Sequence, residues 1–360
     1  MGMSRAVAWL RRPTVFRGFA LASVIANVVL VVSGGAVRLT NSGLGCPTWP
    51  RCTDASLTPT KQYAIHGIIE FSNRQLAILL TIIAAVTLLI ALLQRRERLL
   101  AALGFAIIPL QAVIGGITVR TDLNPWVVSL HFLTSMPVIA VTLVLWWRLS
   151  ARLRAGRPGE ISAEQPPAKP IVLLSHALLL VTAATLVLGT IVTGSGPHAG
   201  DTDSSGKVHR TGLKVSSMSQ LHADAVMVLV GLTVGLLFAV YAAHAGQRLR
   251  RAVWLLVAVE LAQGVIGYVQ YFLHVPPLLV AAHMLGACLV WVAALWVALA
   301  MRPPLGAWPD EPDQSNQQRR PTPSEQPADR VDHHAHHRAD DGAVDPDELQ
   351  VPAHLQLDSP

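Results

Sequence analysis

The sequence predicts an all-α, polytopic membrane protein whose eight transmembrane helices form two tandem four-helix bundles related by a pseudo-twofold along the membrane normal. Three observations carry that prediction. Hydrophobic residues make up 52% of the 360 residues and charged ones 14%, against roughly 25% charge in soluble domains, so much of the chain must face lipid. Eight apolar runs, near 16–37, 66–93, 99–119, 126–148, 171–193, 219–243, 252–272 and 278–300, each approach the ~20 residues that cross a bilayer. The stretch from Gln111 to Thr134 also recurs without a gap from Gln263 to Gly286. Gln111 falls on Gln263, Gly115 on Gly267, Pro125 on Pro277 and His131 on His283, a constant offset of 152 residues.

Taken in order, the first run is too long for a cleaved signal, and no small-residue cleavage pattern precedes the motif after it. Residues 1–149 hold four runs and 171–301 the other four; a polar, Pro-rich linker at 150–170 divides them. An even number of spans per half gives both halves one orientation. The basic residues set that orientation. Arg5, Arg11, Arg12 and Arg17, then Arg95, Arg96 and Arg98, then Arg148, Arg152, Arg154, Arg157 and Lys169, then Arg248, Arg250 and Arg251 all fall on one side. Lys207, Arg210 and Lys214 are the opposing minority, so both termini are expected in the cytoplasm. The pI of 9.6 follows from this bias and requires no nucleic acid. Residues 302–360 are Pro-rich and charged and are expected to be disordered. Their histidines His333, His334, His336 and His337 form a flexible tract without a preformed metal site.

The ionisable residues inside or beside the spans are the candidates for chemistry, because each costs ~2.5–3.5 kcal/mol to insert. The first span ends in a Gly34-Gly35 pair, open to a neighbouring helix or a flat ligand, and then Arg38, an interfacial anchor or a partner for an anionic group. Cys46 and Cys52 flank PTWPR in the outward loop, where either a structural disulfide or a redox-active pair can exist; Cys288 reads as a small core residue. In the second span His66, Glu70 and Asn73 or Arg74 share one helical face. Glu70 reads as a carboxylate facing a ligand pocket, the alternative being an ion pair with Arg74. An isolated His131 would read as a core histidine bonded to Ser129 or Thr134, but its repetition as His283 points to a ligand. His222 and His283 begin the sixth and eighth spans at similar depth, and two histidines on different helices of a bundle can grip a heme iron from both faces. His198 and His209 read as solvated, and His176 as structural.

The first half repeats His131 but offers Glu70 or Asn73 where the second half has His222. The strict offset pairs His222 with Glu70; a three-residue gap in the 94–98 turn pairs it with Asn73 instead. The asymmetry suggests one half that keeps a permanent heme and another that alters its occupant.

The motifs GGAVRLTNSGLGCPTWPRC, EFSNR around Glu70–Arg74 and QAVIGGITVRT, with the repeated His131 and His283, resemble the heme A synthase family (the CtaA type), over roughly residues 16–300. That family converts heme O to heme A for cytochrome oxidase. The resemblance implies heme b held by His222 and His283 in the C-terminal half, and heme O processed in the N-terminal half with His131 as its ligand. It implies a disulfide between Cys46 and Cys52 and a carboxylate at Glu70 needed for activity. Many members carry a histidine three residues after the glutamate, where this chain has Asn73; His66, two turns earlier on the same face, is the alternative donor. Arg38, Arg74 and Arg120 are candidates for the propionates.

The implied reaction oxidises a ring methyl twice, the resulting diol losing water to give a formyl group. The implied location is the bacterial cell membrane. Implied partners are lipid, the farnesyltransferase that makes heme O, oxidase assembly and an electron donor. The rival is a diheme b-type electron carrier without substrate chemistry, which would need four equivalent histidines. A transporter built on repeats explains the symmetry but not the paired outer histidines.

Overall fold

A computed structural model describes residues 2–59, 64–155, 167–202, 206–302 and 305–306; the core of the expected linker and nearly all of the expected tail lie outside the described residues. A short helix, α1 (Gly2–Leu10), precedes α2 (Pro13–Leu39), α3 (Ala64–Leu93), α4 (Arg98–Arg120), α5 (Pro125–Ala155), α6 (Lys169–Ser195), α7 (Val215–Ala242), α8 (Gln247–Phe272) and α9 (Pro277–Ala300). The last eight are each long and apolar enough to cross a membrane. Every expected span is present, with ends shifted by a few residues. The largest difference is α5, which continues past the expected end near 148 to Ala155. Its extra turns are held because Leu149 and Ala151 are buried and Arg148 and Arg152 reach Glu97 at 3.2 and 3.8 Å.

The helix ends explain themselves locally. Pro13, Pro125 and Pro277 open α2, α5 and α9, where a missing N–H costs nothing. Five ends close with one device: Asn41, Arg95, Asp122, His244 and His274 take positive φ. In each case the next amide donates back five residues, as Ser42 to Val37, Arg96 to Ala91, Leu123 to Thr118, Ala245 to Val240 and Val275 to Gln270. This satisfies carbonyls that a helix end would leave orphaned, without a glycine.

In the first half α2 packs on α3 and α5, and α4 on α3 and α5; in the second α6 packs on α7 and α9, and α8 on α7 and α9. Between the halves α2 meets α9, and α5 meets α6 and α9. The apolar core of the second half is formed by Leu178 on α6, Leu236 and Val240 on α7, Val253 and Leu256 on α8 and Val297 on α9. These all lie at the ends of their helices away from His222 and His283. The buried side chains of α8 stop at Leu256, sixteen residues short of its His-side end at Phe272, so the apolar core of this half is concentrated at the end away from the histidines.

Candidate functional site

His131 and His283 are each the seventh residue of a helix that opens on proline, and each imidazole lies against a glycine of the preceding helix. A Cβ on Gly115 would stand 3.3 Å from His131 Cε1, and one on Gly267 would stand 3.4 Å from His283 Cε1. The same arrangement joins α6 to α7, where Gly189 would bring a Cβ to 3.2 Å of His222 Cε1. It recurs between α2 and α3, where Gly34 faces Asn73 Nδ2 at 4.0 Å. Four glycines thus admit four side chains at matching places, three histidines and one asparagine.

Buried polar atoms normally find a partner. Nδ1 of His131, His222 and His283 has none, and the Thr185 carbonyl approaches the His222 ring without reaching hydrogen-bond geometry. The neighbours that could have satisfied His131 bond elsewhere. Ser129 donates to the Pro125 carbonyl at 2.7 Å, and Thr134 to Gln111 Oε1 at 3.0 Å. A buried group left unpaired costs about 1–3 kcal/mol, so three of them argue against the reading of satisfied core histidines. Among the described residues no three His, Cys, Asp or Glu side chains converge on a bare ion. Unpaired imidazoles on diagonal helices, glycine-faced and at the ends away from the apolar core, suit a flat iron porphyrin.

The register between halves is readable from the turns. The α3–α4 turn has Gln94, Arg95 and Arg96 donating to Ile90, Leu92 and Ala91; the α7–α8 turn has Ala243, His244 and Ala245 donating to Ala239, Tyr241 and Val240. The two match residue for residue, 149 apart in the sequence. The α4–α5 and α8–α9 turns match in the same way at 152: Asp122 and Leu123, like His274 and Val275, have positive φ. The three extra residues therefore lie in α8, 26 residues long against 23 for α4, and not in the 94–98 turn. His222 corresponds to Asn73, not to Glu70.

Glu70 sits one turn before Asn73 on α3, toward the α2–α3 loop, and is 6% exposed. One carboxylate oxygen accepts from Arg74 Nη2 at 2.5 Å and the other from the Cys46 amide at 2.7 Å. Arg74 also donates to the carbonyls of Cys46, Thr48 and Arg51, each at 3.2 Å. The pair thereby fastens the loop closed by the Cys46–Cys52 disulfide onto α3. The loop's Trp49 covers Gly116, where a Cβ would meet the indole, and Arg120 donates to the Trp49 carbonyl at 3.3 Å. Arg38 donates to the Ala199 carbonyl at 2.7 Å, leaving its Nε buried and unpaired. His66 is exposed and shares a hydrogen bond of 2.9 Å with Ser42. His198 is not a solvated loop residue: its Nε2 donates to the Val275 carbonyl at 2.9 Å, tying the 195–202 loop to the α8–α9 turn. Cys288 is buried in the apolar core, as expected.

Sequence reasoning missed three residues. Ser33 Oγ donates to Asn73 Oδ1 at 2.7 Å; its place beside the Gly34-Gly35 pair was the available signal. Asp201 accepts from the Leu44 amide at 3.4 Å, joining loops from opposite halves, with no local pattern to announce it. Glu260, a carboxylate inside an apolar run, accepts from Thr233 at 2.9 Å; its insertion cost alone was signal enough.

Comparison with known proteins follows the same lines. The family model described as COX15-CtaA, cytochrome oxidase assembly protein, matches residues 17–202. A heme A synthase of Geobacillus thermodenitrificans is 31% identical over 152 residues, 40% of this chain and 47% of that protein. A heme A synthase of Exiguobacterium sibiricum is 28% identical over 187 residues, 51% of this chain and 59% of that protein. A protoheme IX farnesyltransferase 1 of Natronomonas pharaonis is 26% identical over 159 residues, 43% of this chain and 33% of that protein. The chain spans about half the length of the curated relatives it matches. With a family match running from the first span through the loop after the fifth, over motifs that build the Glu70 latch and the His131 pocket, this chain belongs to the COX15-CtaA family of cytochrome oxidase assembly proteins.

Proposed function

We propose that this protein is a heme A synthase, an oxidoreductase of the bacterial cell membrane that converts a ring methyl of heme O to a formyl group, yielding heme A for cytochrome c oxidase. The observation that carries the reading is the set of half-buried imidazoles of His131, His222 and His283, each with a buried, unpartnered Nδ1 and each set against a glycine, in a chain whose relatives are named heme A synthase. Residues 1–149 and 171–301 are two four-helix bundles related by a pseudo-twofold along the membrane normal, joined by the 150–170 linker and followed by a cytoplasmic tail, 302–360. The reading draws support from turns that repeat at matched positions and from reciprocal packing of α2 on α9 and α5 on α6.

In the second half His222 and His283 hold heme b. In the first half His131 holds heme O, with Asn73 across from it; Ser42 engages His66, so the ligand set leaves His66 out. A bound heme supplies one-electron redox chemistry at its iron. The protein holds the methyl still, excludes bulk water under the Trp49 loop and manages protons. Glu70 is the catalytic proton acceptor, with Arg74 as its counter-charge and the Cys46 amide fixing its orientation. Arg38 and Arg74, with Arg120, face the propionates; the unpaired Nε of Arg38 is a donor to spare. Both termini are cytoplasmic, and the farnesyltransferase that makes heme O, an electron donor and the oxidase assembly machinery are the partners.

The test is pigment extraction from cells carrying wild-type protein or Glu70→Ala. Expected is heme A from the first and none from the second, with heme b retained in the purified variant. Unchanged heme A in the variant would overturn the role of Glu70. No heme A from wild type, in cells supplied with heme O, would overturn the function and leave the diheme carrier in its place.

A further inference from the structure

The first half departs from the second at one coupled pair of positions. Gly34 and Gly189 occupy corresponding places on α2 and α6, within VSGGAV and VLGTIV, so Ser33 corresponds to Leu188 just as Asn73 corresponds to His222. In the second half the position of Ser33 is taken by Leu188, which has no polar group to offer, and the imidazole of His222 has no hydrogen-bond partner at Nδ1. In the first half an amide stands in the imidazole's place, and the neighbouring serine grips it: Ser33 Oγ donates to Asn73 Oδ1 at 2.7 Å. A carbonyl oxygen engaged this way leaves the amide's two N–H donors outside that bond, with Nδ2 in front of Gly34 as the His222 ring lies in front of Gly189. Asn73 and His131 are on helices that share neighbours but do not pack on each other, as are His222 and His283. Asparagine is also shorter than histidine and a weak donor to iron.

We propose that the first-half pocket grips its porphyrin through His131 alone, and that Ser33 and Asn73 form a binding site on the opposite face for a small exogenous ligand, a diatomic molecule or a compact anion. Asn73 Nδ2 donates a hydrogen bond to that ligand, and Ser33 holds the amide in the donating orientation. The second half, with imidazoles on both faces, admits no such ligand. The proposal rests on the heme A synthase reading for the identity of the first-half occupant.

The experiment uses the purified full-length protein carrying both hemes, read by absorption and electron paramagnetic resonance. Wild type is expected to show one high-spin and one low-spin heme, to bind carbon monoxide when reduced and cyanide when oxidised, and to do so at a single heme. Asn73→His is expected to convert the high-spin signal to low spin and abolish both ligands' binding, leaving the second-half signal in place. Asn73→His combined with Ser33→Leu reproduces the second half's pairing and should act likewise if the single change does not fold. Ser33→Ala should weaken cyanide binding about three- to tenfold, the loss of one oriented hydrogen bond. Two low-spin hemes in wild type, or carbon monoxide binding that survives both Asn73→His variants, would overturn the proposal while heme A production still stood. Absence of porphyrin from the protein would instead overturn the function from which it starts.

Discussion

A glycine's worth depends on what its missing Cβ would strike. At Gly45 a Cβ would stand 2.4 Å from the His66 carbonyl oxygen, helix backbone that cannot yield. At Gly35 it would meet only the thioether end of Met284, which can swing aside. Gly45→Ala should therefore cost about 1–3 kcal/mol by overpacking and unseat the disulfide loop, while Gly35→Ala stays near wild type. Thermal unfolding in detergent measures both, and equal shifts would contradict the contrast. The glycines facing the histidines should separate the two sites: Gly267→Leu should deplete the pigment of the second half only, and Gly115→Leu that of the first. Absorption spectra resolve the two. Gly115, Gly267 and both repeated histidines were legible in the sequence because a repeat exposes them. Gly34 and Gly189 were not paired there, because their offset differs from that of the repeat.

The loop between α2 and α3 is held by a latch whose parts lie close in sequence yet act through space. Arg74 satisfies three loop carbonyls and one oxygen of Glu70, and the Cys46 amide satisfies the other. Removing the guanidinium leaves a buried carboxylate half-paired, which costs about 1–3 kcal/mol. Arg74→Ala should lower the unfolding temperature and speed proteolysis between Cys46 and Ser56, with Arg74→Lys recovering part of the loss because it keeps charge but not the fork. Unaltered cleavage would dismiss the latch. The sequence offered two roles for Glu70, pocket carboxylate and ion-pair partner. The ion pair is present, and the carboxylate's catalytic part is left to mutagenesis. Helix limits were legible to within a few residues wherever lipid ends the apolar run. α5 ran on because its extension is stabilised by Glu97, from the α3–α4 turn.

Across the whole molecule the halves are tied at their histidine-side ends by loop contacts: Arg38 to the Ala199 carbonyl, and the Leu44 amide to Asp201. Deeper, Trp291 Nε1 donates to the Met136 carbonyl at 3.0 Å. The proposed orientation is open to a direct test with membrane-impermeant thiol reagents on intact cells. A cysteine at Lys207 should label from outside, and one at Arg95 only after permeabilisation; the reverse pattern would invert the topology. By itself the sequence determined the helical class, the number of spans and the residues that recur, because hydrophobic length and repetition are local, countable properties. Only the tertiary structure decided that His222 answers to Asn73, that Ser33 grips it, and that Glu70 and Arg74 clasp the disulfide loop. Those facts depend on which side chains meet across helices, and a single added turn in α8 shifts that register without leaving a mark on the apolar pattern.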